Sequence, residues 1–463
     1  MRQEEADICI AGAGMAGLCA AVAALEAGAT VLVIEKGSRS GGSMWLSHGL
    51  IWTFTDKAQL RHEVPDGNAA LQDIVVDRLT GSHDWLQKRG IDLEPEMEFQ
   101  SFGRGRMANP AQMAPALVKR VAELGGRILF QTGLQTLLST NGDVTGIVAF
   151  DEHGAVEITA GSVILATGGF QGNAELVSRH ITPHADRIYL RANPWSTGDA
   201  FLSATEIGAA VTPHMDKFYG HALPAPPARF NQFEFLNVTQ RYGPMAVALN
   251  LNGKRFVDES AGTGEEALNL AIATQPQATA IYIVDATIAN TPGPLGILAK
   301  VAIERARDSG APIIEAPTLA LLAEGLRAWG VPPDVALHSL QEYNSAVQSD
   351  AFGGLLPPRS KNAWPIKIAP FTAMVMRAGI TFTCGGLQTD LDMRVLRRAA
   401  TTSNLSLVRA DMSELRLTAM PNLYAAGCDV GGISTGGYIG GLATALVTGR
   451  IAGESAASNA RRR

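Results

Sequence analysis

The pattern of apolar residues at the start of the chain predicts a strand, a helix and a second strand in close succession. Residues 7–11, with Asp7 as their only charged residue, are typical of a buried strand. Residues 18–27 are apolar except for Glu26 and have the length of a helix, and residues 30–34 form a second run that ends at Glu35. The first strand is joined to the helix by Gly12-Ala13-Gly14-Met15-Ala16-Gly17. This strand–turn–helix–strand order is typical of a dinucleotide-binding unit.

The chemistry of such a unit assigns a role to each glycine. Gly12 makes the tight turn, Gly14 lets the backbone approach a pyrophosphate, and Gly17 packs the helix on the strand. The pyrophosphate sits at the positive end of the helix, and Glu35 accepts hydrogen bonds from ribose hydroxyls. A glycine-rich turn without a ligand is the alternative reading. The residues predicted here to contact the cofactor are Gly12, Gly14, Met15, Ala16, Gly17, Glu35 and Lys36.

Later segments distinguish between the possible dinucleotides. Further strands are predicted at residues 128–131, 144–150 and 162–165, and another at residues 422–427. Gly440 and Gly441 then open a predicted helix over residues 442–452. A chain that returns more than 250 residues later to complete the nucleotide domain suits a long ligand. The sequence therefore predicts FAD rather than NAD.

The distribution of proline and glycine predicts the domain organisation. Sixteen of the 23 prolines but only 12 of the 49 glycines lie within residues 213–370. This shift suggests a middle domain inserted into a glycine-rich domain. We predict an α/β fold: a discontinuous Rossmann-like FAD-binding domain (residues 1–213 and 376–463) with an inserted α+β cap domain (residues 214–375).

Composition and charge exclude several classes of protein. The formal net charge of −6 argues against a nucleic-acid binder. The four cysteines show no paired spacing, so disulfides, iron–sulfur clusters and c-type haem are not expected, and neither is a metal site. The uncharged stretches 8–25 and 430–449 are rich in Gly, Ala and Thr, and no leader pattern precedes the first strand. We expect a soluble cytoplasmic protein without a membrane span.

Together with four further segments, the features above resemble the flavoprotein family of fumarate reductase and succinate dehydrogenase subunits, 3-ketosteroid dehydrogenases and tricarballylate dehydrogenases. Those segments are Thr197-Gly198-Asp199, residues 253–259, Tyr343-Asn344 and residues 383–387. The resemblance spans nearly the whole chain. It implies an FAD domain with an inserted cap, and noncovalent flavin, because Ser43 stands where succinate dehydrogenases carry the linked histidine. The other cofactor contacts predicted are Gly41, Gly42, Ser43, Ala166, Thr167, Gly168, Asp199, Gly427, Asp429, Gly441 and Leu442.

Three departures from the family pattern bear on the substrate. The proton-donating arginine of fumarate-reducing members corresponds to Thr263, a substrate-binding histidine to Phe382, and a second carboxylate-binding arginine to Tyr438. A dianion would lose charge-assisted hydrogen bonds worth roughly 1.5–3 kcal/mol each. Fumarate reduction is therefore not expected.

Tyr438 matches the tyrosine of the steroid and tricarballylate members. Its phenol, with a backbone amide near Gly440 or Gly441, predicts a pair of donors for a developing enolate oxygen; a packing role is the alternative. Tyr219 and His221 are candidates for the base, and each has a structural role as its alternative. His221 needs less tuning, because an unperturbed histidine titrates near pH 6.5.

The resulting hypothesis is an FAD-dependent dehydrogenase that desaturates the carbon–carbon bond α,β to a carbonyl of a cyclic ketone, keto acid or steroid-like substrate. Its other partner is an electron acceptor of unknown identity. The alternatives are a tricarballylate-type polyacid dehydrogenase, an enoate or fumarate-type reductase, and a flavoprotein electron-transfer subunit or a flavin-binding protein without turnover.

Overall fold

A computed structural model describes residues 1–262, 264–293, 296–399 and 416–461. The strands in this part of the chain are β1 (Arg2–Ala11), β2 (Val31–Ile34), β3 (Leu50–Phe54), β4 (Met97–Phe99), β5 (Gly103–Met107), β6 (Arg127–Leu129), β7 (Gly133–Thr140), β8 (Asp143–Asp151), β9 (Gly154–Leu165), β10 (Tyr189–Leu190), β11 (Phe218–Tyr219), β12 (Leu223–Pro224), β13 (Val247–Leu249), β14 (Thr279–Val284), β15 (Ile313–Ala316), β16 (Phe371–Arg377), β17 (Gly379–Ile380), β18 (Phe382–Thr383), β19 (Arg394–Ala399) and β20 (Arg416–Ala425).

The α-helices in the same ranges are α1 (Met15–Glu26), α2 (Lys57–Glu63), α3 (Ala69–Gln87), α4 (Pro110–Glu123), α5 (Ala174–His180), α6 (Asp199–Glu206), α7 (Phe235–Val238), α8 (Glu266–Ala273), α9 (Ala286–Ala289), α10 (Ala299–Asp308), α11 (Leu319–Leu326), α12 (Pro333–Gln348) and α13 (Gly441–Ala460). The helix predicted at residues 18–27 thus begins three residues earlier, at Met15. The helix predicted at residues 442–452 continues to Ala460.

The chain divides into two compact units, and the first contains residues 1–173, 193–217 and 382–463. Its main sheet has the strand order β19-β20-β9-β1-β2-β6, with β8 and β7 continuing from β9. The pairs β20·β9, β9·β1, β1·β2 and β2·β6 are parallel. Because parallel strands end at a common edge, the segments after β1, β2, β9 and β20 meet there, which is where ligands bind in such sheets. The pairs β19·β20, β7·β8 and β8·β9 are antiparallel, so the sheet is mixed. The predicted α/β class is confirmed.

Helices α1 and α13 pack closely against each other in this unit. A Cβ atom at Gly449 would lie 2.3 Å from the carbonyl oxygen of Ala16, and one at Gly453 would lie 2.3 Å from that of Ala20. The two helices therefore approach through backbone, which only glycine permits. This packing accounts for the uncharged Gly- and Ala-rich stretches near both ends of the chain. No helix among the described residues has the length and apolar character needed to cross a membrane.

The second unit contains residues 174–192 and 218–381. Its sheet is antiparallel, with the order β12-β16-β14-β13 and β15 paired to β16. Strand β14 is buried along its whole length. Helices α8, α9 and α11 contact this sheet, so the unit has the α+β composition expected of the inserted segment.

The units begin and end at slightly different residues from the predicted domains. The second unit begins at Phe218 instead of 214 and ends at Thr381 instead of 375. It also includes residues 174–192, which the sequence predicted in the first FAD-binding part. The physical reason is that β10 pairs in parallel with β17, placing Tyr189 opposite Gly379.

Candidate active site

The turn after β1 has the geometry that the three glycines predict. Gly12 has φ +107°, and a Cβ atom on it would lie 2.2 Å from the carbonyl oxygen of Ala166. A Cβ atom at Gly17 would lie 1.8 Å from the carbonyl oxygen of Gly12. At Gly14, by contrast, no atom beyond its chain neighbours lies within 4 Å of the position that a Cβ atom would take. Gly12 and Gly17 therefore permit tight packing, while Gly14 borders open space where a ligand can approach the backbone.

The start of α1 suits an anion. The helix begins at Met15, its N-cap residue Gly14 provides no side-chain hydrogen bond, and its first turn contains no acidic residue. The first amides of a helix lack intrahelical acceptors and carry partial positive charge. Ala16 and Gly17 belong to this first turn. The residues present therefore fit a pyrophosphate.

Glu35 connects two of the turns at this edge. One carboxylate oxygen, Oε2, accepts a hydrogen bond from the amide of Ala13 at 2.8 Å, and Oε1 accepts one from the amide of Gly37 at 2.7 Å. The side chain is buried, and this burial raises its pKa, although the two amides act in the opposite direction. The carboxylate thus lies beside the Gly-rich turn, at the end of β2, where a ribose acceptor is required.

Residues 41–43 lie against the same turn. The amide of Gly41 donates to the carbonyl of Ala13 at 2.7 Å, and a Cβ atom at Gly42 would lie 3.6 Å from the Cα of Gly14. The hydroxyl of Ser43 accepts a hydrogen bond from the amide of Asn193 at 3.0 Å. These three predicted residues are therefore brought together with the Gly14 backbone.

Lys36 and Asp199 contact each other. The Lys36 ammonium lies 3.0 Å from Asp199 Oδ2 and donates to the Thr197 hydroxyl at 2.6 Å. Asp199 is the first residue of α6. The two predicted cofactor residues thus form a partly buried ion pair, and a direct contact of either with FAD stays a prediction.

Asp429 shapes the turn after β9. Its carboxylate accepts hydrogen bonds from the amide and the hydroxyl of Thr167 and, at 2.9 Å, from the amide of Gly169. Burial raises the pKa of this carboxyl, while these hydrogen bonds lower it. Thr167 and Gly168 follow Ala166, whose amide donates to Ala11. Asp429 therefore supports the predicted turn, and its own contact with FAD stays a prediction.

Gly427 and Gly440 are positions where the backbone permits no side chain. Gly427 has φ +66°, and its amide donates to the Thr448 hydroxyl at 2.9 Å. A Cβ atom at Gly440, which has φ +99°, would lie 1.8 Å from the carbonyl oxygen of Trp52. Both residues hold backbone close to α13, on which Gly441 and Leu442 form the first turn.

The phenol of Tyr438 lies directly before this helix. The amide of Gly441 donates to the Tyr438 hydroxyl oxygen at 3.2 Å. The ring lies edge-on to Trp52, with centroids 5.5 Å apart, and 6.2 Å from the ring of Phe382. The sequence predicted the amide and the phenol as two parallel donors; instead the amide donates to the phenol. Such an arrangement strengthens the phenol as a donor, because hydrogen bonds in series polarise one another.

Tyr219 and His221 meet in the second unit. The Tyr219 hydroxyl lies 2.9 Å from His221 Nε2, and His221 Nδ1 lies 3.0 Å from Oε1 of Glu265 without a linear hydrogen bond. Oε1 also accepts from the amide of Ala222 at 2.9 Å. The three side chains form an acid–base series whose last member, Glu265, was not predicted from the sequence.

Burial controls the charge of this series. It lowers the pKa of His221 well below the ordinary value, and the nearby arginines Arg191 and Arg241 act in the same direction. It raises the pKa of Glu265 well above the ordinary value, as does Glu266. Both groups are therefore biased toward their neutral forms, which leaves the imidazole able to accept or donate a proton.

Thr263, at the family's proton-donor position, lies outside the described residues. Among the residues that are described, no group of three or more His, Cys, Asp or Glu side chains is arranged to hold a metal ion.

Comparisons with known proteins identify the family. The FAD binding domain family matches residues 7–442. The chain is 26% identical to an NADH:fumarate oxidoreductase of Klebsiella pneumoniae (strain 342), over 98% of this chain and 48% of that protein. It is 28% identical to an NADH:acrylate oxidoreductase of Vibrio harveyi, over 86% of this chain and 38% of that protein. The chain thus spans half or less of the length of these two relatives.

A solved structure shows the same fold. The 3-ketosteroid-Δ4-(5α)-dehydrogenase of Rhodococcus jostii RHA1 superposes with a TM-score of 0.70 at 23% identity, covering 99% of this chain and 98% of that one. The predictions of FAD as the cofactor and of an FAD-dependent oxidoreductase family are confirmed. The chain belongs to the FAD binding domain family, the flavoprotein family of fumarate reductases and 3-ketosteroid dehydrogenases, and FAD is its cofactor.

Proposed function

We propose that the protein is an oxidoreductase that desaturates the carbon–carbon bond α,β to a carbonyl group. FAD, when bound, supplies the hydride acceptor for this reaction. The observation that carries the proposal is the hydrogen bond from Gly441 to the Tyr438 hydroxyl at the start of α13. It leaves a polarised phenol in the unit that contains the dinucleotide turn.

The phenol of Tyr438 performs the electrostatic part of the reaction. As the α-proton leaves, the carbonyl oxygen of the substrate gains negative charge. A preorganised donor stabilises this charge more strongly in the transition state than in the ground state. The Trp52 and Phe382 rings lie beside the Tyr438 ring and limit its movement, so the phenol oxygen is positioned before the substrate arrives.

The α-proton goes to Tyr219 and His221. We assign proton acceptance to the Tyr219 oxygen, while the Tyr219 proton passes to His221 Nε2, 2.9 Å away. This step requires a neutral imidazole with its proton on Nδ1, and the lowered pKa of His221 favours the neutral form. Oε1 of Glu265 lies 3.0 Å from Nδ1, the nitrogen that holds the proton in this assignment. Both predicted base candidates therefore take part in one proton transfer: Tyr219 accepts the α-proton, and His221 accepts the proton that Tyr219 releases.

The reverse direction is the second candidate. Two relatives are named for the oxidation of NADH by fumarate or acrylate, which is carbon–carbon double-bond reduction, and the same residues would then donate the proton that they otherwise accept. The loss of the cationic side chains at Phe382 and Tyr438 argues against a dicarboxylate in this role. We propose further that the first unit binds FAD.

Flavin reduction without oxygen tests the function. The oxidised holoenzyme is mixed with a panel of cyclic ketones, keto acids and polyacids, and the loss of the oxidised flavin absorbance is followed. We expect ketones or keto acids to reduce the flavin, and succinate to leave it oxidised. Rapid reduction by polyacids alone would contradict the ketone assignment. Reoxidation of the reduced protein by an enone or enoate would assign the reductive direction.

A further inference from the structure

Arg191 is a buried cation without a carboxylate partner. Its side chain follows β10 and is 3% exposed. One terminal nitrogen donates to the hydroxyl of Thr381 at 2.7 Å, and the other lies 3.4 Å from the hydroxyl of Thr239. Nε has no acceptor, and Arg191 forms no ion pair within the described ranges. The Nε atoms of four arginines that are only partly buried also lack an acceptor, namely Arg89, Arg120, Arg377 and Arg450. Arg191 differs from them because its whole side chain is buried, and such a group requires an explanation.

Arg359 shows how the same unit treats a structural arginine. This side chain is 0% exposed, and its Nη1 lies 3.0 Å from Oε2 of Glu259. Every nitrogen of its guanidinium has acceptors: Nε on Lys361, Nη1 on Ala246 and Glu259, and Nη2 on Pro244 and Asn362. The fold therefore pairs one buried guanidinium with a carboxylate and leaves the other without one among the described residues, and an unpaired buried charge is costly.

The surroundings of Arg191 are suited to an anion. Thr239, which contacts Arg191, also lines a cleft together with Arg241, Tyr242 and Arg305. None of the described residues that line the cleft is acidic. Burial lowers the pKa of Arg191 to about 10, while Tyr219, Glu265 and Glu266 act in the opposite direction, so the guanidinium still carries its charge at neutral pH. Thr239 thus contacts the buried guanidinium and also lines a cleft that contains two further arginines.

Arg191 also adjoins the acid–base series. A Cβ atom placed on Gly379 would lie 2.6 Å from Cδ of Arg191 and 2.7 Å from the carbonyl oxygen of His221. The cation and the histidine are therefore packed against the same glycine. A ligand group bound by Arg191 lies close to the residues to which we assign proton transfer.

We propose that Arg191 binds a carboxylate group of the substrate. The N–H of Nε and the neighbouring terminal N–H form a side-on pair, which matches the two oxygens of a carboxylate. The substrate is then an acid, such as a keto acid or enoate, and not a neutral ketone. That the carboxylate belongs to the substrate rests on the proposed function, whereas the anion site itself does not.

Acetate is the probe for the site, since it contains little more than the carboxylate. The thermal unfolding midpoint of the oxidised holoenzyme is measured in sodium acetate and in sodium chloride at equal ionic strength, and with acetamide as a neutral control. We expect the wild-type midpoint to rise with the logarithm of the acetate concentration. Acetamide should have no such effect. Arg191→Met should show no response, and Arg191→Lys should bind acetate at least tenfold more weakly, because it lacks the fork.

Stability without acetate is the second measurement. Arg191→Met should be at least as stable as the wild type, because it removes an unsatisfied buried charge, whereas Arg359→Met should be strongly destabilised. A wild-type protein indifferent to acetate, or an equal response in Arg191→Met, overturns the site. So does a loss of stability in Arg191→Met as large as that in Arg359→Met. If Arg191→Met fails to fold, that result favours a purely structural role for Arg191. Arg191→Lys then decides the question, because an acetate response equal to that of the wild type would contradict the proposal.

The two proposals fail in different ways. Acetate binding with no flavin reduction by any keto acid leaves the anion site intact and contradicts the reaction. Flavin reduction by neutral ketones at the same rate in wild type and Arg191→Met, with no acetate binding, supports the reaction and contradicts the site.

Discussion

Asn269 holds both backbone polar groups of Gly379. Its Nδ2 donates to the Gly379 carbonyl at 3.0 Å, and its Oδ1 accepts from the Gly379 amide at 3.1 Å. Asn269 is fully buried within α8, and Gly379 begins β17, against which Arg191 and His221 pack. One amide side chain therefore fixes the short strand that positions both the proposed carboxylate-binding residue and the proposed acid–base residue.

Replacing this amide should lower stability. Asn269→Ala leaves a buried N–H and a buried C=O without partners, at a cost of roughly 1–3 kcal/mol each. We expect the free energy of unfolding to fall by about 2–6 kcal/mol in urea titrations. The exposed Asn290, whose side chain donates to the carbonyl of Ala286, provides a control. Asn290→Ala should change the free energy of unfolding by less than about 0.5 kcal/mol. Equal losses in the two variants would contradict the role of Asn269.

Alanine substitutions at two glycines of the dinucleotide turn should affect FAD binding and folding separately. Gly14 has φ −79°, and Gly17 lies within α1, so the backbone at both positions accepts alanine. Gly14→Ala places its methyl group in open space and should fold normally, but with FAD affinity about 10- to 100-fold lower, since the methyl group blocks the pyrophosphate.

Gly17→Ala places its methyl group 1.8 Å from the carbonyl oxygen of Gly12. This overlap should cost about 1–3 kcal/mol of stability or more. FAD binding by fluorescence titration and unfolding of the apoprotein measure the two effects. Normal FAD affinity in Gly14→Ala, or full stability in Gly17→Ala, would contradict the roles given to these glycines.

The parts of the site that follow strands directly could be predicted from sequence. The glycine turn after β1 and Glu35 after β2 are set by local spacing, because a parallel sheet brings strand ends together. Tyr438 was marked by the resemblance to the steroid and tricarballylate members, which have a tyrosine at this place. Its hydrogen bond with Gly441 was not foreseen, because the direction of a single amide depends on the exact turn.

The proposed acid–base and anion-binding residues of the second unit could not be grouped from the sequence. Glu265 meets His221 from more than 40 residues along the chain, and only a third element, β17, holds Arg191 near them. Glu265 and Glu266 begin a helix and look like ordinary first-turn acids. No local spacing marks such groups. The sequence signal is at most that Arg191 lies within the otherwise apolar stretch 188–192. This signal indicates a site only once the burial of Arg191 is known.

The buried carboxyl of Glu265 should make stability depend on pH. Its pKa is raised in the folded protein, so above about pH 4.5 the unfolded chain releases this proton first, and folding becomes less favourable as pH rises. Glu265→Gln removes this dependence. Its advantage over wild type in unfolding free energy should therefore grow from pH 4.5 to pH 8, by at most about 1.4 kcal/mol per pH unit.

The measurement is urea unfolding of both proteins across this pH range. His221, whose lowered pKa costs stability as pH falls below about 6.5, remains in both proteins and largely cancels in the difference. Glu206→Gln, at an exposed position on α6, serves as the control and should change the unfolding free energy by less than about 0.5 kcal/mol. A Glu265→Gln advantage that is constant, or that shrinks as pH rises, would show that Glu265 is ionised at little cost in the folded protein.

Tyr438→Phe tests the electrostatic step of the proposed reaction. The change removes the hydroxyl and keeps the ring that packs against Trp52 and Phe382. Without this donor the developing enolate loses one stabilising hydrogen bond. We therefore expect the limiting rate of flavin reduction to fall roughly 100- to 1000-fold, about 2.7–4 kcal/mol in activation free energy. Anaerobic stopped-flow measurement with a substrate found in the panel gives both this rate and the apparent dissociation constant.

The dissociation constant should change much less than the rate, because the substrate oxygen carries its full charge only in the transition state. FAD content should stay near that of the wild type, since the predicted flavin contacts of Gly441 are made by backbone. Phe382→Leu is the matched control: it alters the packing beside Tyr438 and keeps the phenol, so its rate should fall far less. A near wild-type rate in Tyr438→Phe would make Tyr438 a packing residue, and a loss confined to affinity would make it a substrate-positioning residue.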